Sequence, residues 1–142
     1  IFAPKRAFKN YRAGELSNQV TVAENTRHDL LLQKAVEGNV VFVQCIQPLQ
    51  GYSIRAQREV ISLFPDWIAL GGAIDMSCSL IQFIFELARD TKTPMYDCSA
   101  LQWQSSDYSL YWNVNGDEFW FGSQSILEYA SGDYSGSLVC FG

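Results

Sequence analysis

Apolar positions in the first 24 residues follow neither a helical nor a strand period, which predicts an extended N-terminal arm with room for one short strand. From Asn25 the spacing turns helical. Asn25 or Thr26 offers a cap, Asp29 suits the positive end of the helix, Leu30, Leu31, Leu32, Ala35 and Val36 form its apolar face, and Gly38 is a stop. The run Val40 to Ile46 is β-branched and almost continuously apolar, the pattern of a central strand covered on both faces, ended by Pro48 and Gly51. A second helix is expected from Tyr52 or Ser53, with Ile54, Val60, Ile61, Leu63 and Phe64 buried, up to Pro65.

Trp67 to Phe85 is apolar on every side, as in a helix buried within a domain, with Gly71-Gly72 expected to break or kink it or to let another backbone approach. After Pro94 the pattern changes to strands: Ser99 to Gln104, Tyr108 to Val114, Glu118 to Phe121 and Ser137 to Phe141. Asn115-Gly116 is a hairpin signal, and Ser123 to Ala130 reads as a short helix or a loop. Helices early and a meander late predict an α+β fold, with about three helices packed on a single antiparallel sheet of about five strands. No repeat or linker interrupts the chain, so the expected organisation is an arm over residues 1–24 and one domain over 25–142.

Composition narrows the function. At 142 residues with 48% hydrophobic and 18% charged positions the chain has ample material for a core. Its net charge is −5, and after Arg58 only Arg89 and Lys92 are basic. That balance excludes nucleic acid as the expected partner, because phosphate binding needs a basic face. Cys45, Cys78, Cys98 and Cys140 are widely scattered, with no Cys-x-x-Cys and a single histidine. Such spacing does not fit a structural metal site and predicts two disulfides, in any of three pairings, and hence a secreted protein. No cofactor motif is present: there is no phosphate-cradling glycine loop and no Gly-x-Ser-x-Gly elbow.

His28, the one histidine, is the one available imidazole acid–base. Its neighbour Asp29 does not face it on a helix, and an exposed helical residue is the expectation. Asp97, Asp107, Asp117, Glu118, Glu128 and Asp133 could supply a glycosidase-like carboxylate pair, although acidic residues in turns ordinarily serve the backbone. Aromatic residues crowd the late strands. Tyr108, Tyr111, Trp112 and Trp120 are the candidate binding residues: alternation points Tyr111 and Trp112 to opposite faces, so one set builds the core and the other offers an outer surface.

In size and layout the chain resembles the small secreted effectors and killer toxins of fungi. The features that carry this are the dibasic Lys5-Arg6, the four dispersed cysteines, the apolar helix around Gly71-Gly72-Ala73 and the aromatic late strands. The resemblance implies helices on one antiparallel sheet and action on a target cell's membrane or wall, and it transfers no residue role. The first reading is therefore a secreted, non-enzymatic effector or toxin-like protein that binds a protein or glycan of another cell through an aromatic sheet face. A small hydrolase or ribonuclease using His28 or a carboxylate pair is the second. The third is a toxin that inserts conditionally in a membrane through residues 67–85, against which Asp75, Gln82 and the two glycines weigh.

Overall fold

The computed structural model describes residues 18–38, 41–87, 93–115 and 118–142, with the backbone alone at 114, 115, 118 and 119. The arm before residue 18, the Lys5-Arg6 pair and the hairpin tip at 116–117 lie outside the described residues. In chain order the elements are β1 (Val20–Val22), α1 (His28–Glu37), β2 (Phe42–Gln50), α2 (Ile54–Val60) with a 3-10 turn at Ile61–Leu63, β3 (Ile68–Leu70), α3 (Ala73–Gln82), α4 (Ile84–Leu87), β4 (Met95–Trp103), β5 (Ser105–Asn115), β6 (Glu118–Gln124) and β7 (Tyr134–Phe141).

The fold is α+β, but the sheet differs from the expected one. Among the described residues seven strands form it, in the order β2-β7-β4-β5-β6, with β1 added to β4 and β3 to β7. It is mixed: β4 and β7 run parallel, and the other pairs are antiparallel. The parallel pair arises because the β5–β6 hairpin and the loop after it carry the chain back before β7 enters beside β4. Among the described residues four helices stand where about three were expected.

Side-chain alternation on β3 and β7 divides the core between the two faces. Ile68, Leu70 and Leu138 point to one face, where Ile61 of the 3-10 turn packs with Leu49 and Ala100. Ala69, Val139 and Phe141 point to the other, under Leu31 of α1. On that same face Met76 and Leu80 of α3 cover Tyr96. α2 begins as its sequence promises, with Ser53 Oγ accepting the Ala56 N–H at 3.2 Å. Arg58 fastens it to the sheet by donating to the carbonyls of Ser99 and Leu101 at 2.9 and 3.0 Å.

The two expected disulfides are absent: all four cysteines are free. Cys78 is on α3 and Cys98 on β4. Cys45 and Cys140 are on neighbouring strands, but Cys140 pairs with Val43 and Cys45 with Leu138. That is a diagonal relation on one face of the ladder, and the two thiols meet there in a side-chain hydrogen bond without being joined.

β2 is an edge strand, not a central one. Phe42, Gln44 and Ile46 turn inward while Val43 and Cys45 are exposed. The stretch 67–85 is no single helix either. Its start is β3, the glycine pair is the corner, and α3 and α4 follow. Gly71 N–H donates to Ser137 O at 2.8 Å, and a Cβ on Gly71 would stand 1.8 Å from Ser137 Oγ. Gly71 therefore serves a close approach to β7, and Gly72 one to the His28 ring. No helix among the described residues is long and apolar enough to cross a membrane.

Candidate functional site

The β5–β6 hairpin sorts its aromatics by register. Trp112 pairs with Phe121, Tyr111 with Gly122 and Asn113 with Trp120. Trp112 turns to the face of α3, where it packs beside Tyr96 and Cys98, with its ring centroid 4.6 Å from that of Phe121. Its indole N–H is buried without a hydrogen-bond partner, and nothing in its surroundings explains this. Trp120, on the opposite face, is 55% exposed. Of the two tryptophans singled out in the sequence, Trp120 is the more exposed.

On the face of Trp120 the tyrosines form an open groove of about 360 Å³, lined by Tyr108, Tyr129 and Tyr134 with Ser123, Gln124 and Ser125 between them. The Tyr111 ring lies across Gly122, where a Cβ would come within 3.0 Å of its hydroxyl end, so that glycine makes room for it. Tyr111 meets Tyr134 edge to face at 6.5 Å, and Tyr134 meets Tyr129 likewise at 6.2 Å. Tyr108 is braced by an edge contact with Trp103 at 5.9 Å, and Trp103 Nε1 donates to Gln19. Tyr129 is 56% exposed and Tyr108 37%.

The floor of the groove is polar and fixed. Gln124 Nε2 donates to Asp97 Oδ1 at 2.8 Å, and Gln57 Nε2 donates to Asp97 Oδ2 at 2.8 Å. With its amide donor engaged, Gln124 keeps its carbonyl as an acceptor. Burial pushes the Asp97 carboxyl up to about 6 against the two amide hydrogen bonds. Burial also raises the Tyr134 hydroxyl, and the nearby Tyr111 adds to this, so it remains a donor at neutral pH. Arg55 and Glu128, paired at 2.5 Å, tie the loop carrying Tyr129 to α2.

The other sequence candidates fall elsewhere. His28 is not an exposed helical residue: it opens α1, is 2% exposed, and its Nδ1 lies 3.0 Å from Leu70 O. The acidic residue that lines the same cavity as His28 is Asp75 of α3, which was not among the carboxylates expected to act. Its Oδ1 accepts the Gly72 N–H at 2.9 Å, and its Oδ2 accepts from Gln44 Nε2 at 3.0 Å. Desolvation raises its carboxyl to about 7. Of the late carboxylates, Glu128 pairs with Arg55, Asp133 accepts from Ser131, and Asp97 is beneath the groove. The side chains of Asp117 and Glu118 lie outside the described residues. Among the described residues no cluster of three or more His, Cys, Asp or Glu could hold a metal ion.

Comparison of the chain with protein-family models, with curated proteins and with solved structures finds no match. The groove must be interpreted from its own chemistry.

Proposed function

We propose that the protein is a non-enzymatic binding protein that recognises a glycan in the tyrosine groove, on the sheet face that also carries Trp120. The observation that carries this is the combination in one place of upright, edge-packed aromatic rings and fixed amide and hydroxyl groups. Rings offer a flat apolar face to a sugar's C–H surface at low entropy cost, and Gln124, Ser123, Ser125 and the tyrosine hydroxyls meet its hydroxyls. Disulfides were the main argument for an extracellular setting, and with free thiols that setting is no part of this reading.

The test is a panel of immobilised β-1,3-glucan, chitin and mannan oligosaccharides probed with the wild type, Trp120→Ala and Tyr129→Ala. Both substitutions are on exposed side chains, so thermal stability should change little. Each should weaken binding tenfold or more, as loss of a stacking ring at an interface centre does. A folded wild type that binds none of these glycans, or variants that bind as well as wild type, would overturn the proposal.

A further inference from the structure

A second cavity, of about 210 Å³, opens on the other face of the sheet, between α1 and α3. Its walls are apolar: Leu31, Leu32 and Ala35 of α1, Phe42, Ile74 and Val139. Two polar side chains, His28 and Asp75, and the thiol of Cys78 complete the lining. We propose that this cavity is a binding site for a small neutral molecule with an apolar body and one hydroxyl group.

The size sets the body. A dry cavity of roughly 150 Å³ lined by Leu, Ile and Phe holds benzene, so this one takes a substituted ring of similar breadth. Histidine chemistry sets the head. The Leu70 carbonyl can only accept, so His28 Nδ1 carries the hydrogen of that bond. In the neutral ring Nε2 is then a lone-pair acceptor, and it has no hydrogen-bond partner among the described residues. Burial lowers the His28 pKa and keeps the ring neutral. The Nε2–Cε1 edge lies against Gly72, where a Cβ would stand 2.6 Å from Nε2, so only a residue without a side chain lets the ring sit at the cavity wall.

Asp75 does not compete for the ligand, because its oxygens are taken by Gly72 N–H and Gln44 Nε2. Burial, and then the Asp75 charge, raise the Cys78 thiol, which removes it as a nucleophile and leaves reversible binding as the chemistry of the site. A hydroxyl donating to Nε2, with a ring against Phe42 and Val139, satisfies every group the cavity presents.

The experiment compares p-cresol with toluene, which differ by the hydroxyl alone, in a methyl-labelled sample with ¹⁵N-labelled histidine. p-Cresol should shift the methyl signals of Leu31, Leu32, Ile74 and Val139 and the Nε2 resonance, and bind at least tenfold more tightly than toluene. Ile74 is 70% exposed at the rim, so Ile74→Trp should close the mouth, abolish the p-cresol shifts and leave glycan binding unchanged. Equal affinities for the two probes, p-cresol binding that leaves these methyls and the Nε2 resonance unshifted, or a folded Ile74→Trp that still binds would each overturn the proposal. The probe comparison on the wild type decides the matter even if Ile74→Trp fails to fold.

Discussion

Asn25 and Arg27 both have positive φ, 61° and 59°, just before α1. Asparagine tolerates that region, whereas for arginine it costs roughly 1–2 kcal/mol. The guanidinium explains how the turn is held: it donates to the carbonyls of Phe64 and Pro65 at 2.9 and 2.7 Å and pairs with Asp66 at 3.3 Å. Arg27→Ala removes the clamp and keeps much of the strain, so it should destabilise by about 1–3 kcal/mol in urea unfolding, in line with charged hydrogen bonds. An unchanged midpoint would refute the clamp. None of this was legible in the sequence, where Asn25 and Thr26 looked like helix caps. Thr26 is instead fully buried and donates to Ala23 O at 2.8 Å.

At the scale of elements, α1, β3 and α3 interlock at the glycine corner. A methyl group on Gly72 would sit 2.6 Å from His28 Nε2, and the ring is held by Leu70. Gly72→Ala should therefore cost about 1–3 kcal/mol, as overpacking does. In a double-mutant cycle His28→Ala should relieve much of that cost, whereas additive effects would show that the two residues do not meet. The late strands, the β5–β6 hairpin, α2 and the Gly38 end of α1 could be read from alternation, turn residues and caps. β3 could not, because three apolar residues inside an apolar run carry no period of their own. β2 looked central because its run is continuously apolar. Pro48, which lies within it, was the overlooked signal, since proline in a sheet favours an edge strand. Scattered cysteines read as disulfides because spacing says nothing of register.

For the whole molecule, two buried carboxyls set the pH response. Asp75 and Asp97 have folded pKa values raised to about 7 and about 6, both chiefly by burial. A raised carboxyl pKa stabilises fully below its unfolded value near 4 and loses that contribution as pH climbs through the folded value. His28, lowered by burial, acts the other way, losing stability as pH falls below about 6.5. The carboxyl contribution is isolated by comparison with Asp75→Asn. The wild type should be most stable relative to this variant near pH 4 and lose that advantage by pH 8. A difference independent of pH would contradict the burial of an ionising Asp75.

The groove was half legible. Of the groove's lining, crowded aromatics marked Tyr108, with Tyr111 and Trp120 on the same face, but Tyr129 and Tyr134 enter through the β6–β7 loop and its return to the sheet, which only the fold brings together. The sequence has four tryptophans, so the four indole N–H signals report directly on the central claim during titration with β-1,3-glucan, chitin and mannan oligosaccharides. Binding in the groove predicts movement of the Trp120 indole and of the Ser123 to Ser125 amides by one of these sugars, with the Trp112 indole still. Movement of Trp112 without Trp120, or no movement with any of them, would contradict it.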